Sequence, residues 1–377
     1  MTSDPFEAGA AAAGAVAFSI DLQARAVAMS GDTARLGLNG HTLTLDAFLS
    51  RMGPTDQDAV RQDLETGRID VRVRLTGLDQ QLSYVRLIGA CRDGARIVGL
   101  MIPAGDTVHM ATRIADEHAL ARAVEAGEVL AFYQPIICLK TQSLVGFEAL
   151  ARWRRPGVGV LAPPDFLAMA DDIDQLGKLS SNIRSNAVDD LSAWRRTSPQ
   201  AQQLFVAANV SVSELTDPGF QDRIIAYVQR AGLPAGVFKL EISETEIMRD
   251  PEAAADAMAR LSEAGIALAL DDFGTGYSSL ARLEMLPFDV VKVDQYFVRA
   301  MIGNESATTV VQSVVQLARH FKMKVVAEGV ETAETASLLA EIGCDFAQGY
   351  RYSGALAPQD AYALIGTGLE GRFRAAS

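Results

Sequence analysis

Beyond about residue 130 the chain alternates short, largely apolar runs with amphipathic stretches, and almost every apolar run closes on a polar or charged side chain. The runs lie at residues 132–138, 145–150, 204–210, 238–242, 266–270, 290–293, 324–327 and 345–347. Short apolar strands separated by helices imply a parallel sheet buried on both faces. About eight of them in about 245 residues is the size of a TIM-type barrel. The first two runs are separated only by residues 139–144, too few for the crossover that a parallel pair needs. The expected fold is therefore α/β: a modified TIM (β/α)8 barrel with one antiparallel strand.

In such barrels the strand ends point at the active site. The second run carries Glu148 and Arg152, an even spacing that puts both on one face. Asn209 closes the third, Glu241 and Glu244 the fourth, Asp271 and Asp272 the fifth, Lys292 and Asp294 the sixth, Glu328 the seventh and Gln348 the eighth. A lone acid at a strand end is ordinarily a helix cap or a solvated charge. Adjacent Asp271 and Asp272, leaving a buried strand, repel each other unless a cation compensates, and Gly274 and Gly276 let the backbone approach a ligand closely. Oxygen donors without Cys or His suit Mg²⁺ or Mn²⁺. Several carboxylates, one able to bridge, suit two ions and in-line phosphoryl displacement, with Lys292 and Arg152 supplying positive charge for a phosphate. The residues thus point to metal-dependent phosphoester hydrolysis.

Charge narrows the partners. Lys and Arg number 34 against 47 Asp and Glu, a formal net charge of −13, and such a field repels a polyanion. Polymeric nucleic acid is not expected. Cys91, Cys138 and Cys344 are far apart and have no zinc or disulfide spacing with one another or with the four histidines. Residues 8–18 are apolar but Ala/Gly-rich, preceded by Asp4 and Glu7, and too short to span a bilayer. The expectation is a cytoplasmic location with no membrane anchor.

The 377 residues exceed one ordinary domain. Residues 15–103 favour strands: Val71, Val73 and Leu75 alternate with Arg72 and Arg74, and further period-2 runs follow at 84–88 and 96–101, which predicts an antiparallel meander. Short helical candidates at 45–52 and 58–65 precede it. Small helices followed by three antiparallel strands resemble a PAS-type domain in architecture. The expected division is residues 1–105 as a small α+β, PAS-like sensory or dimerisation domain, 106–127 as a connecting helix, and 128–370 as the barrel.

An ordered set of motifs carries a second resemblance. Tyr133-Gln134-Pro135-Ile136, Glu148-Ala149-Leu150-Ala151-Arg152, Asn209-Val210-Ser211, Glu241-Ile242-Ser243-Glu244, Asp271-Asp272-Phe273-Gly274-Thr275-Gly276, Lys292-Val293-Asp294, Glu328-Gly329-Val330-Glu331 and Gln348-Gly349-Tyr350 resemble the EAL domain family of bacterial cyclic di-GMP phosphodiesterases over residues 117–367. The resemblance implies hydrolysis of cyclic di-GMP to linear pGpG by two-metal in-line attack, with Mg²⁺ or Mn²⁺ as cofactor and a homodimer. It implies that Glu148, Asn209, Glu241 and Asp271 hold one ion, Asp271 bridging to a second that Asp272 and Glu328 help hold. Lys292 would contact the attacking water or scissile phosphate, and Gln348 would position the water. Gln134 and Arg152 would contact the substrate backbone, and Asp294 the substrate side. Glu244 would brace the 271–280 loop. Two departures stand out: Asp171 and Ala168 where the family usually has Glu and Pro, and Ser353-Gly354-Ala355 where it has Gly-Arg-Pro or Ser-Arg-Pro. The alternative reading is a cyclic di-GMP receptor that does not hydrolyse its ligand and signals through protein contacts.

Overall fold

The computed structural model describes residues 15–33, 38, 42–76, 82–92, 95–103, 107–247, 251–274 and 286–375. Residues 8–14 of the N-terminal apolar stretch and residues 275–280 of the glycine-containing loop lie outside this set. The chain divides into two compact units, Met1–Glu125 with Pro164–Leu176, and Ala126–Pro163 with Gly177–Ser377.

In the first unit, strands β1 (Val16–Asp21), β2 (Ala26–Ser30), β3 (Thr42–Thr44), β4 (Arg68–Thr76), β5 (Leu82–Cys91) and β6 (Arg96–Pro103) form one antiparallel sheet in the order β3-β2-β1-β6-β5-β4. Helices α1 (Leu45–Leu49) and α2 (Pro54–Thr66) separate β3 from β4, and α3 (Thr107–Ala126) follows β6. The meander expected from the alternation is thus β4-β5-β6, extended by β1, β2 and β3. Ile20, Val27, Ile69, Val85, Leu87 and Ile97, the inward set of a two-residue period, form the core together with Phe48 of α1. Gly99 pairs with Gly89 across β5 and β6. A Cβ at Gly99 would come within 2.1 Å of the Ile88 carbonyl oxygen, and the Phe18 ring lies over the same spot. That close approach is what the glycine permits.

One residue breaks the alternation. Arg74 is buried alongside Val73 and Leu75 rather than pointing outward, because its charge is matched inside. Its Nη1 donates to Glu117 Oε1 at 2.8 Å, its Nη2 to the Asp172 carbonyl at 2.7 Å, and its backbone N–H to Asp56 Oδ2 at 2.8 Å. Arg113 donates from Nε to Glu117 at 3.1 Å and from Nη2 to Asp172 Oδ2 at 2.8 Å. The cluster ties β4, α2 and α3 to α4 (Leu167–Asp172), the segment in which Asp171 and Ala168 depart from the family pattern.

In the second unit, β7 (Val129–Cys138), β8 (Leu144–Arg155), β10 (Phe205–Asn209), β11 (Phe238–Ser243), β12 (Ala267–Phe273), β13 (Val290–Val293), β14 (Lys324–Ala327) and β15 (Phe346–Gln348) close into an eight-stranded barrel. The seal is the parallel pairing of β8 with β10, while β7 runs antiparallel to both neighbours, β8 and β15. The short β9 (Gly159–Leu161) extends β8 at an edge. Between strands lie α5 (Leu176–Thr197), α6 (Val212–Leu215), α7 (Pro218–Arg230), α8 (Glu244–Ile247), α9 (Pro251–Glu263), α10 (Gln295–Ala300), α11 (Glu305–His320) and α12 (Ala333–Ile342), with α13 (Pro358–Ala375) last. Side-chain caps begin several of them, as at Asp217, Asn304 and Thr332. Edge-to-face contacts of Tyr133 with Trp194 (4.8 Å between centroids) and Phe147 anchor β7 and β8 to α5. Ile136, Val145, Phe205, Ala269, Val290, Val326 and Phe346, from seven strands, fill the barrel interior. Among the described residues, no helix is long and apolar enough to cross a membrane.

Candidate functional site

The interior packing fixes the next layer up. Two residues beyond Ala269, Val290, Val326 and Phe346 stand Asp271, Lys292, Glu328 and Gln348, and a two-residue period aims each pair the same way. Parallel strands in register then deliver these side chains to one rim. Ala207 pairs with Glu148 and Asn209 with Glu241.

Lys292 is the hub. Its Nζ, 1% exposed as a side chain, lies 2.8 Å from Glu241 Oε2, 2.8 Å from Glu328 Oε1, 3.0 Å from Asp271 Oδ1 and 3.4 Å from Glu148 Oε2. Burial works against the ammonium charge, but Asp271, Glu148, Glu241 and Glu328 outweigh it and hold its pKa well above the ordinary value. Burial drives Glu241 the other way, well above the usual carboxylate range despite Lys292, and pushes Glu328 up to about 8. Asp272 is raised as well, by burial and then by Asp271.

Asp271 and Asp272 diverge because the β12–β13 register shifts between Leu270 and Phe273 and Asp272 takes a left-handed φ of 56°. A bulge re-aims side chains in this way. Asp271, Asp272 and Glu328 each offer an oxygen, all within 4.8 Å of one another. Four carboxylates share one ammonium, and Asp272 adds a further negative charge. The excess of hard oxygen donors fits divalent cations of the Mg²⁺ or Mn²⁺ kind.

Gln348 donates from Nε2 to Glu148 Oε2 and, at 2.9 Å, to Gln134 Oε1, while Gln134 Nε2 donates to the Ser353 carbonyl at 3.2 Å. The contact at residue 353 is made by a backbone atom, next to the departures at Gly354 and Ala355. Glu244, buried, accepts the Gly274 N–H at 2.8 Å, a contact on the described part of the loop it is expected to brace. The remaining expected residues are less convergent. Asn209 is exposed and its carbonyl accepts from Arg184 at 2.9 Å. Arg152 Nη1 donates to the neighbouring Ala151 carbonyl, and burial lowers its pKa. Asp294 caps α10 through the Tyr296 N–H at 2.8 Å.

Above the acids opens a cavity of about 260 Å³ lined by Gln134, Glu148, Leu150, Asp271, Gln295, Arg299, Glu328, Gly329, Gln348, Gly349 and Tyr350. A larger hollow of about 640 Å³, lined by residues of α5, α6 and α7, has no such convergence, and its Arg184 is paired with Glu214.

A profile of the EAL domain matches residues 117–355. The chain belongs to the EAL domain family. Residues of this EAL domain are 37% identical over 234 residues to an uncharacterized protein of Mycobacterium tuberculosis, Rv1354c, covering 62% of this chain and 37% of that protein. They are 36% identical over 234 residues to the cyclic di-GMP phosphodiesterase RocR of Pseudomonas aeruginosa, covering 62% of this chain and 59% of RocR. The chain thus spans less than two thirds of the length of either relative. A solved phosphodiesterase domain, PaMucR in complex with c-di-GMP, superposes with a TM-score of 0.61 at 29% identity over 65% of this chain and 98% of that one. Three residues that line the EAL domain's cavity, Gln295, Arg299 and Tyr350, have no place in the sequence-based site. The signal was present: Gln295 and Arg299 are four apart on the helix that follows the strand of Lys292, and therefore share a face.

Proposed function

We propose that this chain hydrolyses one phosphodiester bond of cyclic di-GMP, yielding linear pGpG, with two Mg²⁺ or Mn²⁺ ions at the barrel rim. The observation that carries the reading is the convergence of Glu148, Glu241, Asp271 and Glu328 on Lys292 beneath an open cavity in an EAL domain. When bound, the ions supply Lewis acidity and a water of lowered pKa. Glu148, Asn209, Glu241 and Asp271 would hold one ion, and Asp271, Asp272 and Glu328 would help hold the second. Lys292 stabilises the negative charge that builds on the phosphoryl oxygens as water attacks and the 3′ oxygen departs. Gln348, fixed between Glu148 and Gln134, orients the water. Arg152 and Gln134 contact the sugar–phosphate backbone, Asp294 contacts the substrate side, and Glu244 holds the backbone after Asp271 and Asp272. The reading includes a homodimer in the cytoplasm.

Incubation of the purified protein with cyclic di-GMP and Mg²⁺, Mn²⁺ or Ca²⁺, followed by chromatography, tests this. The expected product is pGpG with Mg²⁺ or Mn²⁺. Tight binding without pGpG would replace the enzyme by a receptor.

We propose further that residues 1–105 form a PAS-like regulatory domain, joined through the helix at 106–127 to the barrel at 128–370. What supports this is the buried ion cluster of Arg74, Arg113, Glu117 and Asp172. It gathers residues before the barrel with α4, which lies in sequence between β8, bearing Glu148 and Arg152, and α5. Arg74→Leu removes one partner from a buried network and is expected to destabilise the first unit by about 3–5 kcal/mol and to change turnover several-fold. An unfolding midpoint that falls while turnover stays fixed would sink the regulatory role.

A further inference from the structure

Among the groups around the cavity, the ion pair of Arg299 and Glu331 has no part in holding the acids. Arg299 Nη2 lies 2.8 Å from Glu331 Oε1, and the two side chains are 47% and 48% exposed. An ion pair that open to water adds little to folding, so stability does not account for its place beside the cavity, which Arg299 lines and Glu331 adjoins through Gly329. The local backbone brings the pair together. Gly329 has a φ of 65°, and a Cβ there would lie 2.5 Å from Gln295 Cβ and 3.4 Å from Arg299 Nε. The turn carrying Glu331 can therefore lie flat against α10 only with glycine at that position. Tyr350, which also lines the cavity, is 73% exposed, and a large aromatic left this open beside a binding cavity offers a stacking face.

We propose that Arg299 and Glu331 determine which base the enzyme accepts, by reading the edge of one guanine that stacks against Tyr350. This rests on the cyclic dinucleotide reading above and adds its specificity. An arginine fork matches the O6 and N7 acceptors of guanine, and a carboxylate matches its N1–H and N2–H₂ donors. Adenine would turn its N6 amino donor toward the guanidinium and offer the carboxylate no N2 donor. The paired side chains hold each other in place before the base arrives, which lowers the entropy lost on binding. At about 260 Å³ the cavity is below the usual range for a whole drug-sized ligand, which fits one nucleotide half seated beside the acids.

The test measures kcat and KM of the full chain, with Mn²⁺, on cyclic di-GMP and cyclic di-AMP, for the wild type, Arg299→Leu, Arg299→Lys and Glu331→Gln. Arg299→Leu should lose roughly ten- to hundredfold in kcat/KM on cyclic di-GMP, chiefly through KM, and much less on cyclic di-AMP, so that the ratio between the substrates collapses. Arg299→Lys should recover only part, since an ammonium cannot make the two-pronged contact, and Glu331→Gln should fall between. Equal losses on both substrates, or an unchanged ratio, would overturn base reading. If the wild type turned over neither substrate, the enzyme reading alone would fail. Titration calorimetry of the same variants with both dinucleotides and Ca²⁺ would then read the discrimination directly, and equal affinities in the wild type would overturn it.

Discussion

Lys292→Met is expected to give a protein that is markedly less stable in EDTA, regains stability as the pH falls, and loses hydrolysis by about 10³-fold or more. Methionine fills the space of the lysine stem but leaves Glu148, Glu241, Asp271 and Glu328 facing one another without the ammonium they surround. Removing one partner from a buried charge cluster costs about 3–5 kcal/mol. Part of that cost is escaped by protonation. Glu328 is already raised from 4.5 to about 8 in the folded protein, and Glu241 is raised too. The folded state therefore binds more protons than the unfolded one across that interval. The stability that Glu328 contributes is full below about 4.5 and is lost as the pH rises through about 8. Without the lysine Glu241 and Glu328 rise further and the slope steepens. Urea unfolding at pH 5.5, 7 and 8.5, in EDTA and in Mn²⁺, reads this directly. A midpoint equal to that of the wild type at pH 8.5 in EDTA would contradict the electrostatic account of the cluster.

Glu148→Ala is expected to abolish metal-dependent turnover by a similar factor while moving stability in the other direction. Glu148 lies 3.4 Å from Lys292 and accepts from Gln348. Its loss takes a carboxylate from the ion site and releases the amide that would orient water. Four carboxylates around one ammonium also repel one another, so one fewer relieves the apo protein. The variant should unfold at no lower urea concentration than the wild type in EDTA and gain less from added Mn²⁺. Initial rates across a Mn²⁺ titration provide the check. Activity within tenfold of the wild type at saturating Mn²⁺ would remove Glu148 from the ion site.

The barrel was legible because its strands are short, apolar on both faces and closed by polar residues; the antiparallel β7 followed from the short link, residues 139–144, between the first two apolar runs. The acids around Lys292 were legible for the same reason, since a two-residue period makes strand-end side chains converge. Arg74 was not. Alternation placed it outward with Arg72, and only Glu117 and Asp172, 43 and 98 residues away, make an inward position affordable. The β12 bulge that separates Asp271 from Asp272 was equally invisible, because it arises from pairing with β13. Arg299, Gln295 and Tyr350 escaped because helix-borne and loop-borne side chains over a barrel mouth obey no strand period.

The reversal of β7 has a consequence for how the barrel is wired. Every other barrel strand runs toward the acidic rim, so its first residue lies at the far end; β7 runs the other way. Its opening residues pair Val129 with Trp153 and Leu130 with Arg152, late in β8 and further along the same strand than Glu148. The polypeptide thus enters the barrel at the rim where the acids gather, and Gly127, with a φ of 71°, is the last bend before it does. In an all-parallel barrel a preceding segment would be tethered at the opposite end. Here Val129, the first residue of β7, lies at the same rim as the acids because β7 is antiparallel to β8.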